Sequence, residues 1–369
     1  MTQSIMLGTI SLNNMAGGLE RNIVYLANRL ANEGHYVVLV SFDLEHAESF
    51  FEIDSRVVWI KVGVSQPHAP ITFAKRLQLI KHIRSAMIRH DIRKVVVFSH
   101  GLLVRFLTAG LGLNSKFICS ERNAISMYDF IQQRKWNLNF ILLALVEKIT
   151  VQFDEYENDY PFWLRRKIVT IHNPVFPSAN QSDLSKPIIL AVGRLTTQKR
   201  FDLAIKSFAG MLQQHPNWQL RIVGSGPMAS ELQELINTLG VSQSVSIKHP
   251  TKSMERHYSE CSLFLSTSQW EGFPNALAEA LSYGMLGVGF ENTKGVSLLI
   301  KDGINGFLVP GEPSVPNLKE ALFRIMKTQS DWPHMSSNAR LISDIYSPKE
   351  WIAKWLTTLQ SANHSNGEG

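Results

Sequence analysis

The feature that most constrains the fold is an alternation of apolar, strand-like segments with amphipathic, helix-like segments. Near the amino terminus, an apolar run over residues 5–10 leads into a loop that contains Gly17 and Gly18. A helical pattern follows and ends at Gly34, and residues 36–42 then form a second apolar run. This order predicts a strand, a helix and a buried parallel strand, which together make a βαβ unit.

The same architecture begins again after Pro187, although the sequence itself does not repeat. Strands that alternate with helices indicate a parallel, doubly wound sheet. We therefore predict an α/β protein of two Rossmann-like domains that face a cleft, with the carboxyl ends of the strands along it, where such folds bind ligands. The strands predicted in the second half are 188–192, 219–223, 245–247, 263–266 and 286–290. The helices predicted there are 201–212, a segment ending at 239, a short one near 254–261, and 274–283.

The length of 369 residues suits two domains, because a single hydrophobic core rarely extends beyond about 250 residues. Proline, serine, asparagine and glutamine accumulate after position 172, as is typical of a linker. Apolar residues from Trp351 to Leu359 recur at helical spacing, so we expect a C-terminal helix that packs back toward the first domain. The predicted divisions are a first domain at 1–172, a linker at 173–187, a second domain at 188–345, the C-terminal helix at 346–361 and a disordered tail at 362–369.

The composition excludes several classes of protein. With 44% hydrophobic and 18% charged residues, the chain is neither disordered nor fibrous. Its longest apolar run, 140–146, is far shorter than the roughly 20 residues of a membrane span. The first residues enter a strand without a signal-peptide pattern, so we expect a cytoplasmic location. Cys119 and Cys261 lie in apolar segments and are expected to be buried thiols.

The positive charge is concentrated in the first half of the chain. Residues 1–172 hold 20 Lys and Arg against 15 Asp and Glu, a difference of +5, whereas the remainder holds 17 against 16, or +1. A basic half favours an anionic partner, either a phosphate or an acidic lipid surface. Nucleic acid is not favoured, because the sequence has no arginine-rich cluster and no aromatic RNP-like strand.

The segment that is most informative about chemistry is QWEGFPNALAEAL, residues 269–281. Glu271 is expected at the end of a strand, Gly272 allows close approach of the backbone, and a helix is expected to begin near Pro274. The amides at a helix start favour a phosphate, and the carboxylates of Glu271 and Glu279 can accept hydrogen bonds from sugar hydroxyls. The alternative is that Glu271 only caps the helix and Glu279 lies in solvent.

This segment resembles the E-x7-E motif of the retaining glycosyltransferase family 4. Four more stretches resemble that family in its own order: Gly17-Gly18-Leu19-Glu20, GRLTTQKR at 193–200, IVGSGP at 222–227 and DGINGFLV at 302–309. Together they extend over nearly the whole chain. The resemblance implies the GT-B architecture and a transfer of sugar from a nucleotide donor to an acceptor, with retention of configuration and without a metal ion.

The family motifs imply a role for each matching residue. Arg194 and Lys199 would bind the diphosphate of the donor, whose negative charge grows as it leaves, and positioned cations are the main means of stabilising such charge. Glu271 would bind the donor sugar and Glu279 the ribose, while His249 lies where relatives hold the base. The other donor-binding residues that the resemblance implies are Gly17, Gly18, Gly272, Phe273, Pro274, Asn275 and Ala276.

A further resemblance lies in the first domain, where Ser120-Glu121-Arg122-Asn123 ends a predicted strand. It is similar to the S-E-R/H-N stretch of a subgroup that assembles bacterial surface polysaccharides. Arg122 is therefore the candidate for electrostatic stabilisation, with Glu121 orienting it, and His100 is a candidate for lining the acceptor site. A strand-end salt bridge and a structural histidine are the alternatives for these residues.

No metal and no resident cofactor are expected. Residues 14–20 lack a G-x-G-x-x-G pattern, which argues against a dinucleotide cofactor. The acidic run at 154–159 offers the D-x-D spacing by which other glycosyltransferases hold manganese. We expect it to follow a helix rather than close a strand, so we interpret it as a solvated face.

Three departures from the family pattern leave the donor sugar open and allow a reduced activity. His249 replaces a usual glycine, residues 284–287 lack the common proline, and residues 295–300 lack an acidic residue near the donor.

We therefore predict a UDP-sugar donor and an acceptor that is a polysaccharide or a lipid-linked oligosaccharide, such as a polyprenyl-diphosphate-linked glycan. The alternatives are a UDP-sugar epimerase of the same fold and a nucleotide-sugar-binding protein with little turnover. Basic and aromatic residues of the first domain suit contact with an anionic membrane, although an amphipathic core helix over 136–149 is the alternative. These residues are Arg134, Lys135, Trp136, Phe140, Lys148, Trp163, Arg165, Arg166 and Lys167.

Overall fold

A computed structural model describes residues 2–63, 72–127, 138–251 and 253–360. The chain divides into two compact units. The first unit comprises Met1–Asn173 together with Lys349–Gly369, and the second comprises Pro174–Pro348. The predicted tail at 362–369 lies outside the described residues, as do Arg134, Lys135 and Trp136.

The first unit contains a sheet of seven parallel strands. They lie in the order β3-β2-β1-β4-β5-β6-β7, so the strand order reverses between β1 and its neighbour β4. The strands are β1 (Ser4–Thr9), β2 (Tyr36–Ser41), β3 (Val58–Lys61), β4 (Lys94–Phe98), β5 (Lys116–Ser120), β6 (Lys148–Val151) and β7 (Ile168–Thr170). The helices between them are α1 (Gly18–Asn32), α2 (Phe73–Arg89), α3 (His100–Ala109), α4 (Leu138–Ala144) and α5 (Phe162–Arg165).

Helix α1 shows why these segments fold as they do. Ile23, Leu26 and Leu30 recur on one face and are fully buried against the sheet, which confirms the predicted amphipathic helix. Burying each such side chain contributes about 1.5–3 kcal/mol. Gly34 ends the turn at a φ of 84°, a left-handed conformation that favours glycine.

The second unit repeats the design with six parallel strands. Their order is β10-β9-β8-β11-β12-β13, so the strand order reverses between β8 and β11. The strands are β8 (Ile188–Val192), β9 (Gln219–Val223), β10 (Val245–Lys248), β11 (Leu263–Ser266), β12 (Leu286–Phe290) and β13 (Gly306–Val309). The helices are α6 (Phe201–Leu212), α7 (Ala229–Thr238), α8 (Glu255–Glu260), α9 (Asn275–Ser282), α10 (Lys294–Leu299), α11 (Val315–Met326), α12 (Trp332–Arg340) and α13 (Ile342–Ile345).

The last helix, α14 (Pro348–Gln360), belongs to the core of the first unit, as predicted. Trp351 stacks on Tyr25 of α1, with ring centroids 5.5 Å apart. Trp355 is fully buried and packs on Phe98 of β4, with centroids 6.2 Å apart. The helix thus contributes two large apolar side chains, Trp351 and Trp355, to the core that the first 173 residues form.

Three local predictions were wrong. Glu271 does not end a strand, because β11 stops at Ser266 and Glu271 lies in the loop that follows. The predicted helix over 136–149 is shorter within the described residues: α4 ends at Ala144, and Lys148 begins β6. The acidic run Asp154–Asp159 therefore follows a strand rather than a helix, and forms a 3-10 turn.

Both cysteines are buried and free, as expected from their apolar surroundings. Burial raises the pKa of Cys261 to about 12, so this thiol stays protonated at neutral pH. Among the described helices, none combines the length and the apolar character needed to cross a bilayer.

Candidate functional site

The loops that follow β8 and β11 meet at the point where the strand order of the second sheet reverses. In doubly wound sheets the loops diverge at this point and leave a crevice for ligands. Here the two loops are joined by three hydrogen bonds. The Thr267 hydroxyl donates to the Lys199 carbonyl over 2.8 Å. The Gln269 amide donates to the Gln198 carbonyl, and the Gln198 side chain donates to the Trp270 carbonyl, each over 2.8 Å.

An ion pair between Lys199 and Glu271 lies on these joined loops. The Lys199 side chain is 21% exposed and that of Glu271 is 11% exposed, so both charges are largely withdrawn from solvent. The stem of Lys199 passes over Gly193, where an added Cβ would lie 3.0 Å from Lys199 Cε. Glycine at this position therefore lets the ammonium reach the carboxylate.

The carboxylate of Glu271 has a second donor. The Ser268 hydroxyl donates to Glu271 Oε1 over 2.6 Å, and the Ser268 carbonyl accepts from the Thr293 hydroxyl over 3.0 Å. Ser268 and Thr293 are both buried. Hydrogen bonds to charged groups contribute about 1.5–3 kcal/mol each, so these residues hold Glu271 in one orientation.

Arg194 differs from Lys199, its partner in the predicted diphosphate site. Its side chain is exposed and makes no hydrogen bond or ion pair with the described residues. A guanidinium has five donors in a planar fork that matches a phosphate. The loop therefore offers one cation that is already paired and one that is available to an incoming anion.

The start of α9 completes this edge of the second unit. Pro274 precedes the helix, and Asn275 and Ala276 form its first turn beside Lys199 and Glu271 in a narrow shared cavity. Phe273 is buried and packs edge-on against Tyr346, with ring centroids 5.4 Å apart.

The loop that leads into α9 is pressed against another helix. Gly295 of α10 lies so close that an added Cβ would be 2.5 Å from the Gly272 carbonyl oxygen and 2.9 Å from that of Glu271. Glycine at 295 is therefore needed for the loop to take this position. The structure thus brings together Lys199, Glu271 and residues 274–276, which were all predicted from the sequence, while Arg194 lies five residues before Lys199 on the same loop.

Glu279 lies on α9, in the turn after Asn275. Its Oε2 accepts a hydrogen bond of 2.8 Å from the hydroxyl of Tyr258, a residue of α8 that is 3% exposed. The alternative that Glu279 lies unpartnered in solvent is therefore wrong.

His249 follows β10 and is exposed. The carbonyl of the preceding Lys248 accepts from the Gly224 amide over 2.9 Å, which connects this loop to the IVGSGP segment. No hydrogen bond or ion pair of His249 joins it to Lys199, Glu271 or Glu279 in the described part of the chain. Its role in binding the base stays a prediction.

The second unit also contains a cavity with a volume of about 280 Å³. It is lined by Thr197, Arg200 and Glu231, among others, but not by Lys199, Glu271 or Glu279. The Arg200 guanidinium donates to the Pro313 carbonyl over 3.2 Å, so this residue is anchored rather than simply exposed. Cavity size therefore does not mark the charged site.

In the first unit, the corresponding edge holds His100 and Glu121. Glu121 is 1% exposed, and its Oε1 accepts from the His100 main-chain amide over 2.8 Å and lies 2.9 Å from His100 Nδ1. Burial lowers the pKa of His100, but the charge of Glu121 and its hydrogen bond together raise it above the ordinary value. Ser99, which precedes α3, has a φ of 107°, a strained conformation for a residue with a side chain.

The expectation that Glu121 orients Arg122 is wrong, since this carboxylate bonds His100 instead. Arg122 is held by the amide oxygen of Asn173 and by the Ser120 hydroxyl, the latter at 3.3 Å. Burial lowers the pKa of Arg122 to about 10, so it stays charged at neutral pH. Arg122 Nε and Glu121 Oε2 are buried and have no hydrogen-bond partner among the described residues.

Gly17 and Gly18 begin α1 at the same edge of the first sheet. A Cβ at Gly17 would meet only the Glu20 carboxylate, the end of a flexible side chain that can move aside, so packing does not require glycine here. The preceding loop is fixed by Asp43, whose Oδ2 accepts from the Leu12 amide over 2.8 Å. Contact of this loop with a diphosphate stays a prediction.

The acidic run at 154–159 is only partly solvated. Tyr156 is buried, and Asp159 Oδ2 accepts a 2.6 Å hydrogen bond from the Ser126 hydroxyl. Within 2–63, 72–127, 138–251 and 253–360, no three His, Cys, Asp or Glu side chains come together as a metal site would require.

The sequence reasoning missed the residues that hold the charged groups in place: Thr267, Ser268, Thr293, Tyr258 and Gly295. One signal was present. Three small hydroxyl residues, 266–268, follow an apolar strand and precede Glu271, and buried hydroxyls need partners. The contacts of Tyr258 and Gly295 join segments that are distant in sequence and leave no local pattern.

Comparison with known proteins gives matches over both units. The family described as glycosyl transferases group 1 matches residues 174–342. An uncharacterized glycosyltransferase of Haemophilus influenzae is 26% identical, over 92% of this chain and 95% of its own length. The amylovoran biosynthesis glycosyltransferase AmsD of Erwinia amylovora is 26% identical, over 80% of this chain and 82% of its own.

Another relative carries a specific acceptor in its name. It is a Campylobacter jejuni alpha-1,4-N-acetyl-D-galactosaminyltransferase, named for a glycan linked to PP-undecaprenol, and it is 24% identical over 95% of this chain and 97% of its own. Among solved structures, the pneumococcal O-GlcNAc transferase GtfA, in complex with UDP and GlcNAc, has a TM-score of 0.80 at 16% identity, over 98% of this chain and 99% of that one. The fold is therefore that of the GT-B glycosyltransferases, as predicted.

Proposed function

We propose that this chain, whose residues 174–342 match the glycosyl transferases group 1 family, is a retaining glycosyltransferase that uses a UDP-sugar without a metal ion. The acceptor that we propose is a polysaccharide or a lipid-linked oligosaccharide. The observation that carries this proposal is the ion pair of Lys199 and Glu271 beside the start of α9, at the reversal point of the second sheet, with the exposed Arg194 on the same loop as Lys199.

The proposed role of the two cations follows from their different states. Arg194 is available to bind the diphosphate of the donor, whereas Lys199 is held by Glu271. When a donor binds, the diphosphate attracts Lys199 and the sugar hydroxyls donate to Glu271, so a single ligand replaces both halves of the ion pair. Charge then grows on the diphosphate as it leaves, where fixed cations stabilise it most.

The acceptor is proposed from the relatives and from the first unit. The names of two relatives refer to amylovoran biosynthesis and to a PP-undecaprenol-linked glycan. Buried polar atoms of Glu121 and Arg122 have no partner among the described residues. Such groups are costly to leave unpaired, which suits a polar ligand at this edge, and we assign Arg122 electrostatic stabilisation and His100 contact with the acceptor.

Independence from metal is proposed because Arg194 and Lys199 supply the positive charge that manganese supplies elsewhere. We expect the activity to survive EDTA. The test measures UDP release before and after chelation, with and without added manganese. A loss of activity that manganese restores would contradict this proposal and would indicate that the acidic run Asp154–Asp159 holds manganese.

Contact with an anionic membrane is proposed on a smaller set of residues than the sequence indicated. Phe140 is buried, and the Lys167 ammonium donates to the carbonyls of Ala144 and Val146 over 2.5 and 2.7 Å, so neither faces a lipid surface. Phe162 is 81% exposed beside the basic residues Arg165 and Arg166. We propose a cytoplasmic enzyme that touches the membrane there, and absence of flotation with acidic liposomes would refute this.

The experiment that tests the proposed function is a screen of UDP-sugars with glycan acceptors. UDP release measures turnover, and NMR of the product gives the linkage and the anomeric configuration. We expect transfer that depends on the acceptor and retains the configuration of the donor. Interconversion of the donor without acceptor would indicate an epimerase, and binding of UDP without turnover would indicate a binding protein.

A further inference from the structure

Glu279 is held by a residue that no motif of the sequence pointed to. The Tyr258 hydroxyl donates to Glu279 Oε2 over 2.8 Å, from α8 to α9. Tyr258 is 3% exposed, so bulk water does not compete with Glu279 for the hydrogen bond of its hydroxyl. A buried phenol hydroxyl requires a partner, and here the partner is a charged acceptor, which makes the bond stronger than one between neutral groups.

The ring of Tyr258 is fixed by its surroundings. It packs against Tyr283, with ring centroids 5.2 Å apart and planes at 37°. The Tyr258 amide donates to the Met254 carbonyl over 3.1 Å, which anchors the backbone of α8. A tyrosine has only two side-chain torsions, so a packed ring points its hydroxyl in one direction. The long and flexible side chain of Glu279 is thereby ordered by a rigid neighbour.

The geometry leaves Glu279 able to act on a ligand. An ionised carboxylate accepts about four hydrogen bonds, and Tyr258 donates one of them, to Oε2. A vicinal diol presents two hydroxyl donors, which match a carboxylate whose orientation is already set. Fixing a binding group before the ligand arrives increases affinity, because less conformational freedom is lost on binding.

Resting on the proposed function, in which Glu279 binds the ribose of the donor, we propose that Tyr258 is the positioning residue that gives this site its preference for a ribose diol. Tyr258 does not touch the ligand. It sets the direction of the Glu279 carboxylate, so its removal weakens recognition of the 2′- and 3′-hydroxyls and leaves the contacts to the diphosphate unchanged.

The test compares the binding of UDP and of 2′,3′-dideoxy-UDP by isothermal titration calorimetry in the full chain. The unaltered protein should bind UDP more tightly than the dideoxy compound. Tyr258→Phe keeps the ring but removes the hydroxyl, so we expect it to weaken UDP binding about tenfold. Binding of dideoxy-UDP should not change, and kcat at saturating donor should stay within about twofold.

Tyr283→Phe is the matched control. Its hydroxyl bonds Ser178 rather than Glu279, and it belongs to the same pair of packed rings. Loss of that hydroxyl should leave the preference for UDP over dideoxy-UDP unchanged. Thermal unfolding of both variants checks that the second unit stays folded.

The outcomes separate this inference from the proposed function. If Tyr258→Phe weakens the binding of both compounds equally, or of neither, Tyr258 does not position Glu279 for the ribose, while the proposed donor stands. If the unaltered protein binds UDP without preferring it to dideoxy-UDP, the ribose role of Glu279 fails and this inference with it. If it binds no UDP at all, the proposed donor is wrong as well.

Discussion

The two sheets of this protein have the same strand order around their reversal points, yet the polar groups at these points are in different states. In the second unit, Lys199 and Glu271 are paired, and Ser268 provides a further hydrogen bond to the carboxylate. In the first unit, Glu121 and Arg122 both keep a buried atom without a partner among the described residues.

The difference shows that one architecture supports two kinds of site. In the second unit Lys199 and Glu271 each already have a partner, so a donor that binds there as proposed must replace this contact by exchange. The first unit keeps polar atoms ready for new hydrogen bonds, because burial without a partner is costly until a ligand arrives. Substitutions in the second unit should therefore change binding and turnover, and those at His100 and Glu121 in the first unit should in addition change how its stability responds to pH.

The largest effect is expected for Lys199→Ala. If Lys199 stabilises the leaving diphosphate as proposed, its removal should lower kcat by at least about 100-fold. The measurement is the steady-state rate of UDP release. Lys206→Ala is the control, because Lys206 lies on the exposed face of α6 and pairs with Asp202, at 3.5 Å. Near-normal kinetics of Lys199→Ala would remove this residue from the site.

A second prediction concerns the close contact between Gly295 of α10 and the loop that leads into α9. Gly295→Ala places a Cβ against the Gly272 and Glu271 carbonyls, so the loop must shift. We expect the free energy of unfolding to fall by about 1–3 kcal/mol, as measured by chemical denaturation. In Gly101→Ala, by contrast, the nearest contact of the new Cβ would be Ser99 Oγ at 3.6 Å, so stability should hold. Equal losses in both variants would contradict the contrast between the units.

A smaller effect is expected for Ser268→Ala, which removes one hydrogen bond to Glu271. The value of a hydrogen bond to a charged group corresponds to a loss of about tenfold in kcat/KM. Ser297→Ala provides the control, since its hydroxyl bonds the Lys294 carbonyl of its own helix over 3.1 Å. Should both variants behave alike, Ser268 does not orient Glu271.

The smallest effect concerns the first unit and pH. Because the pKa of His100 is raised in the folded state, the stability it contributes is fully present below about pH 6.5 and is lost as the pH rises through the folded pKa. The free energy of unfolding should therefore decline over this interval in the unaltered protein. His100→Asn and Glu121→Gln should lack that part of the decline in denaturation curves taken across the range. An unchanged profile in both would show that the pair does not titrate as described.

The strands and helices of the second unit could be predicted from the sequence because each has a local pattern of apolar and polar residues. The bounds predicted for β8, α6, β9, β11 and β12 are those that the structure has. The candidate charged residues Arg194, Lys199 and Glu271 came from the resemblance of short stretches to a known family, and the structure pairs Lys199 with Glu271.

The sequence was insufficient where a contact joins distant segments. Glu121 precedes Arg122 directly, which suggested a pair, but consecutive side chains at a strand end point in different directions, and Glu121 bonds His100 instead. The apolar run before Lys148 continues into β6, so a helix and a strand were merged into one predicted helix. Local sequence patterns contain no information about contacts between segments that are distant in sequence.

The position of α14 has a consequence for the order in which the protein matures. Synthesis proceeds from the amino terminus, and domains generally fold as units while the chain emerges. The second unit is one continuous segment and is complete when Pro348 has been made. The first unit must wait for Trp351 and Trp355, which fill its core. The half of the protein that leaves the ribosome first is therefore the last to reach its native state, and a chaperone that shields the waiting sheet would act on it during that interval.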